Sequence, residues 1–519
     1  MVRAKRTNKL YIFSLILIFA LAVFLRLYRI NNRWIVDFDQ ARDAMVAKEA
    51  LNLKKIPLIG AFSSAGPFVW GPLYYWEIML SYIIAPKLIF APWLLYIIFD
   101  LLYIWTMVQI GNIVWKERGG LILGLLTTIS TAQLLRIAII HQPTLIPFFG
   151  ALMILNGLLY LRSKNLWHLF LMGISFGLAI NNHFQALNFI FFTLVVIFAE
   201  KPNFKKLFTG ALVFIIGFLI PLLPLLYWDS TQGWKNINNV LDFFLIGQYR
   251  FWVSNRWLIY VGQFWPKLWA NLLGDQLIFG YLFMLLSVIF VVYQFLTKKL
   301  SRDTLFLAIV FGLMLFINRY YRGERLEGYM LYFYPLVIYF SGFIIVSLLN
   351  IKKIIGILFL IILFLFTMKA NILLIKGQRG TGQIREIIRK TVTQLKTIRP
   401  NDKFMIYDYQ YINPTPAMVT SFFLSFNNLI DEQNGTKLGL STLDFPYEKI
   451  ATISSINNNK TWIYNLSPYW GKPGFKTESW INTSPKYVAL DIMEWWKVKE
   501  FKSTFCLFCF IKEKVGIPH

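Results

Sequence analysis

The chain has 519 residues, of which 57% are hydrophobic and 15% charged, whereas a soluble globular domain carries about 25% charged residues. The net charge is +26, but much of the excess sits in short loops between apolar runs that recur from Leu10 to about Leu374. This excludes an ordinary soluble protein, argues against nucleic acid as a partner, and points to a mainly α, polytopic membrane protein with topogenic positive charge.

In chain order, apolar length and periodicity predict about eleven transmembrane helices. They lie near 10–30, 91–114, 119–138, 144–161, 166–182, 185–200, 207–227, 271–296, 303–318, 329–349 and 353–375. The first lacks a small-residue cleavage site and reads as a retained anchor. Segment 72–88 is apolar but short, and it opens on Gly-Pro and aromatics suited to an interface. We read it as lying along the membrane, so that 31–90 is a first external loop with interfacial helices.

That choice places the basic loops on the cytoplasmic side with the N-terminus. They are Arg3/Lys5/Arg6/Lys9, Lys116/Arg118, Arg162/Lys164, Lys201/Lys205/Lys206, Lys298/Lys299/Arg302 and Lys352/Lys353. Segments 31–90, 139–143, 183–184, 228–270, 319–328 and 376–519 then lie outside. The chain divides into a transmembrane domain, 1–375, and a small α/β extracytoplasmic domain, 376–519. The latter has candidate strands at Lys403–Tyr407, Lys486–Ile492 and Ser503–Lys512 and a helix around Gln383–Lys396. Its Cys506 and Cys509 read as packing residues, since no second Cys/His cluster would complete a zinc site.

The outer segments collect one kind of chemistry. The first gives Asp37, Asp39, Arg42 and Asp43, then Trp70-Gly71-Pro72-Leu73-Tyr74-Tyr75-Trp76. Later ones give Arg136 with His141-Gln142-Pro143, then Asn181-Asn182-His183, then Arg319, Arg322, Glu324, Arg325 and Glu327 with Tyr329 and Tyr332. Arginine forks bind phosphate, aromatic rings stack on sugar or isoprenoid carbons, and a carboxylate can take a proton from an attacking hydroxyl. The set suits a lipid-phosphate sugar donor. A phosphate leaving group needs cations rather than an acid, and one carboxylate base implies a single displacement with inversion.

The pattern Phe38-Asp39-Gln40-Ala41-Arg42-Asp43, followed after about thirty residues by Gly71-Pro72-Leu73-Tyr74-Tyr75-Trp76, resembles the membrane-embedded GT-C type glycosyltransferases that use polyprenyl-phosphate sugars. Among these it is most similar to the protein O-mannosyltransferases and lipid A aminoarabinose transferases. The resemblance implies a sugar transferred from a polyprenyl-phosphate carrier to an acceptor hydroxyl on a protein, lipid or cell-surface glycan. It implies Asp39 as the catalytic carboxylate and Arg42 as a donor-phosphate contact. His183 stands where relatives place a basic phosphate contact, and Tyr329 and Tyr332 where they place aromatics near the carrier. It also implies an amphipathic helix from about Asp39 to Leu53 along the membrane surface.

The outer arginines Arg319, Arg322 and Arg325 are phosphate-binding candidates, and Asp37, Asp43, Arg136, His141, Gln142 and Glu327 acceptor or supporting candidates. No cofactor is required by this chemistry; a divalent metal on Asp37 and Asp39 is a weaker alternative. The chain departs from the family pattern in three places. Gln40 replaces a second acid, Trp70-Gly71 stands where some relatives have a lysine, and Gln142 replaces an acid. Two rival readings are a lipid-linked sugar transporter or flippase and a catalytically inactive glycan-assembly partner.

Overall fold

The computed structural model describes residues 9–52, 54, 56–61, 63, 68–199, 203–245, 256–318 and 327–398. Beyond these it describes the strand segments given below with Val419, Phe422, Phe423 and Phe426. The arginines Arg319, Arg322 and Arg325 and both cysteines lie outside the described residues, and Glu327 is described by its backbone alone.

The helices are α1 (Lys9–Leu27), α2 (Ile30–Arg33), α3 (Phe38–Asn52), α4 (Leu73–Ile84), α5 (Ala91–Ile129), α6 (Thr131–Ala138), α7 (Ile146–Ser163), α8 (Leu166–Asn182) and α9 (Ile190–Phe198). They continue with α10 (Phe204–Leu219), α11 (Leu223–Thr231), α12 (Lys235–Leu245), α13 (Arg256–Ile259), α14 (Trp265–Leu272), α15 (Leu277–Leu296), α16 (Arg302–Asn318), α17 (Tyr334–Ile351) and α18 (Lys353–Ile398). Among the described residues, seven helical stretches are long and apolar enough to cross a membrane, and the protein is an integral membrane protein. One of them, α5, is interrupted at Trp115 and at Lys116 (φ 60°, ψ −158°), so it holds two of the expected spans. The two arms pack closely because glycines meet: a Cβ on Gly111 would stand 2.3 Å from the Gly119 carbonyl oxygen.

The span that contains α17 is 94% buried, whereas those of α18, α10 with α11, and α15 are 17%, 28% and 28% buried. α17 is therefore the centre of the bundle, and the other three present apolar side chains to lipid. The α4 helix has 12 residues. At 1.5 Å per residue it reaches only ~18 Å, too short for a ~30 Å hydrocarbon core.

α3 is covered by protein more fully than an amphipathic helix would be: every residue from Gln40 to Ala47 is buried, while Asp39 in its first turn is exposed. The small residues Ala41, Ala44, Ala47 and Ala50, all 0% exposed, let it pack tightly among its neighbours. The charges inside the apolar spans also find each other. Arg26 and Asp100 form a buried ion pair, with Gln133 donating to Asp100 at 2.7 Å and Arg26 donating to the Thr128 carbonyl at 3.0 Å.

Along the C-terminal stretch, β1 (Lys403–Asp408), β2 (Thr436–Gly439), β3 (Ile453–Ile456), β4 (Thr461–Asn465) and β5 (Tyr487–Leu490) pair in the order β3-β4-β1-β2-β5. β1 runs parallel to β2 and β4, and the outer pairs are antiparallel. The stretch 503–512 lies outside the described residues.

Candidate active site

Among the described residues, the segments around Asp39, His141, His183 and Gly328 converge on one end of the bundle. The chain before α3 is pinned where Ile35 N–H donates to the Ala138 carbonyl at 2.8 Å. Asp37 precedes the helix; its carboxylate accepts from Phe38 N–H and its carbonyl from Ala41 N–H. Gln40 is 4% exposed and works in both directions: its Oε1 accepts from Asp37 N–H at 2.9 Å, and its Nε2 donates to the Ile140 carbonyl at 2.8 Å. The residue that replaces an acid is thus a structural tie to the 139–142 turn, which needs a donor and an acceptor at once.

Asp39 lies in the first turn of α3. Its side chain is 59% exposed, and Oδ1 sits 2.7 Å from Arg42 Nη1. Arg42 is buried, and its Nε meets Asp43 Oδ1 at 2.7 Å. Asp43 is fully buried; Tyr75 also donates to its Oδ1 at 3.4 Å, and its Oδ2 has no partner among the described residues. Burial lifts the Asp43 carboxyl to about 6 against the pull of Arg42. The result is a graded row: a buried acid holds an arginine, and the arginine holds an accessible acid.

Glu77, which sequence reasoning did not single out, lies beside these residues on α4. It is 5% exposed; Tyr96 donates to it, and Asn182 Nδ2 lies 3.5 Å away. Burial raises its carboxyl to about 8. Next to it, Asn181 clamps the Gly71 turn. Its carbonyl accepts from Gly71 N–H at 2.9 Å, its Oδ1 from Leu73 N–H at 2.9 Å, and its Nδ2 donates to the Pro221 carbonyl at 2.6 Å. A Cβ at Gly71 would come within 2.2 Å of Asn181 Oδ1, so the clamp requires glycine.

His183 follows. Its ring stacks on Trp70 at 3.9 Å and 23° and faces Tyr329 at 5.5 Å. Nδ1 accepts from Gln185 N–H at 3.2 Å, which leaves the proton on Nε2. Burial, with help from His141, lowers the imidazole to about 3. His183 is therefore neutral near pH 7 and offers an N–H donor without charge. Trp70, at the position where some relatives have a lysine, is the platform for this ring. His141 is likewise held at about 3 by burial and by Arg136, whose Nη1 lies 3.4 Å from its Nε2. Gln142 opens the short 3-10 turn that follows. Arg136 also faces Gly328, and its Nε has no partner among the described residues.

Gln185, which sequence reasoning missed, joins the two sides: it donates to the Gly328 carbonyl at 2.9 Å and accepts from Leu331 N–H at 3.0 Å. Behind it lies a cavity of about 330 Å³ with a largely apolar wall that includes Phe68, Phe184, Phe191, Phe243 and Ile317. Trp70, His183, Tyr329 and Tyr332 line it too. Tyr332 is buried against Asn318 and Met330 Sδ. Among the described residues no group of three or more His, Cys, Asp or Glu could hold a metal ion.

The helical bundle, with α3 packed against its end, has the same overall fold as a solved membrane glycosyl-transfer structure. ArnT from Cupriavidus metallidurans, solved bound to undecaprenyl phosphate, superposes with a TM-score of 0.55 at 12% identity over 82% of this chain and 93% of that one. The apo oligosaccharyltransferase of Archaeoglobus fulgidus aligns with a TM-score of 0.49 at 12% identity over 82% of this chain, which spans 64% of that longer protein. Its complex with Zn and sulfate gives 0.48 at 12% identity, covering 96% and 77%. No protein-family model matches the chain, and no curated protein matches it.

Proposed function

We propose that the chain is a membrane glycosyltransferase that moves a sugar from a polyprenyl-phosphate carrier to an acceptor hydroxyl at the external membrane face, with Asp39 as general base. The observation that carries this reading is the contrast among neighbouring acids. Asp43 and Glu77 are buried and committed to Arg42, Tyr75, Tyr96 and Asn182. Asp39 alone of the three is open to a substrate while a buried arginine orients it. The fold shared with a structure that holds undecaprenyl phosphate supports a carrier of this kind.

In the reaction, Asp39 accepts the acceptor's hydroxyl proton as the oxygen attacks the anomeric carbon. The bond from that carbon to the phosphate oxygen breaks, and the polyprenyl phosphate leaves with the electron pair. The apolar cavity suits the first isoprenoid units, and the neutral His183 N–H with Arg136 suits the phosphate. Arg42 orients the base and would also contact the donor phosphate. Arg319, Arg322 and Arg325, on the segment next to Gly328, would add charge. Tyr329 and Tyr332 would contact the carrier, and Asp37, His141, Gln142 and Glu327 would support the acceptor side. The reading places the N-terminus in the cytoplasm and 376–519 as an extracytoplasmic α/β domain on a transmembrane domain of about eleven spans.

The test is release of free carrier phosphate from a polyprenyl-phosphate sugar in membranes that contain wild type or Asp39→Asn. Loss of release by a factor of about 10² or more, with unchanged thermal stability, is expected for removal of a general base. Release at the wild-type rate would overturn the mechanism. Transbilayer movement of intact donor without cleavage would make the protein a flippase.

A further inference from the structure

A second cavity, of about 360 Å³, lies between α6, the α14–α15 turn and α18 and shares no lining residue with the first. On α18 its wall is Phe366, Lys369, Ala370, Leu373 and Leu374. These recur at three- and four-residue spacing and so form one helical face. The turn opposite contributes Asn271, Gly274, Asp275 and Gln276. It is a fixed turn: Gly274 and Asp275 have φ 89° and 51°, and Asp275 N–H donates to the Ala270 carbonyl at 2.8 Å.

Two groups there are left without use by the fold. Lys369 is exposed although it lies inside the apolar span Lys353–Gln378, and it makes no ion pair or hydrogen bond among the described residues. Thr131, 9% exposed, lines the cavity with a buried hydroxyl that has no partner among the described residues. A lysine on a lipid-facing helix is costly unless its head reaches the interface or a partner. The 26-residue span is ~39 Å long, more than a ~30 Å hydrocarbon core requires, so Lys369, roughly 13 Å below its Gln378 end, lies less than ~10 Å below the interface, and its side chain can snorkel most of that way. That end is level with the start of α3, since Arg33 donates to Gln378 at 2.8 Å.

We propose that this cavity binds the headgroup of a bilayer phospholipid from the leaflet on the Asp39 side, with Lys369 on the phosphodiester and the polar turn around the headgroup hydroxyls. The flanking Leu365, Leu373 and Ile278, all exposed, would lie along the acyl chains. A hydroxylated anionic head such as phosphoglycerol fits both the cation and the amide- and carboxylate-bearing turn. The site does not depend on the glycosyltransferase reading.

The full chain, reconstituted in vesicles of phosphatidylcholine with a minority of phosphatidylglycerol, should keep phosphatidylglycerol bound on detergent dilution, as native mass spectrometry would count. Lys369→Gln should weaken retention about fivefold, the effect of one basic residue at a lipid surface, and Lys369→Arg should restore it. Ala370→Phe, which keeps the lysine and fills the hollow, should also expel the lipid. Equal retention by wild type, Lys369→Gln and Ala370→Phe would overturn the proposal. So would displacement by inorganic phosphate, or preferential exchange for undecaprenyl phosphate, each of which names another ligand.

Discussion

At the scale of single residues, the site separates acids by what surrounds them. Glu77 shows the consequence. Burial lifts its carboxyl from the ordinary 4.5 to about 8, so the folded chain keeps a proton that the unfolded chain has released. The folded state then binds more protons between those values. The stability this gives is fully present below pH 4.5 and is lost as pH rises through about 8. Glu77→Gln, of the same shape, cannot ionise. It should hold its melting temperature across that window while wild type declines, and parallel pH profiles in thermal unfolding would refute the assignment. Gln40 makes the opposite case. An acid there matches the family pattern, but it would face the Ile140 carbonyl with no donor unless protonated. Gln40→Glu should therefore cost about 1–3 kcal/mol, measured as a lower unfolding midpoint. The sequence marked the Asp39–Arg42–Asp43 group because its charges cluster just beyond the first apolar span. It did not mark Gln185 or the Trp70–His183 stack, because both depend on segments more than a hundred residues apart.

At the scale of elements, apolar length located most spans, since burying a backbone in lipid leaves few alternatives to a helix. It also marked 72–88 as short, and α4 there has 12 residues. Length did not show that α3 is buried, because alanines read as neutral in any periodicity count. Arg26 and Asp100 could have been matched from sequence as opposite charges in neighbouring spans, Asp100 being the one acid of its span. The hairpin in α5 rests on glycine contact rather than on hydropathy. Gly111→Val should place a methyl-bearing Cβ against the Gly119 carbonyl, 2.3 Å away, and cost about 1–3 kcal/mol or more through forced separation of the arms. Gly312→Ala, where an added Cβ meets nothing within 4 Å, is the control. Thermal unfolding in detergent should show a clear loss for the first and almost none for the second.

At the scale of the whole molecule, the proposed reaction depends on which surfaces share a side. Contacts sort the described loops into two sets. The first holds α3, the 139–142 turn, Asn181–His183 and Gly328, joined by the bonds of Gln40, Asn181 and Gln185. Tail residues join it: Phe423 lies 6.1 Å from Trp34, Phe426 5.1 Å from Tyr82, and Lys48 sits 4.5 Å over Phe426. The second set gathers the basic loops, where Arg162 meets Asp303, Arg118 meets Asn350, and Arg302 donates to the Ala199 carbonyl. The basic set is the one expected to face the cytoplasm. With Cys506 and Cys509 replaced by serine, single cysteines at Asp39 and Arg302 should therefore react with a membrane-impermeant maleimide from opposite sides of sealed vesicles. Asp39→Cys should label from outside the cell and Arg302→Cys only after the membrane is opened. Labelling of both from one side would separate the Asp39 carboxylate from the compartment in which its sugar donor must arrive, and the proposed reaction would then have no place to occur.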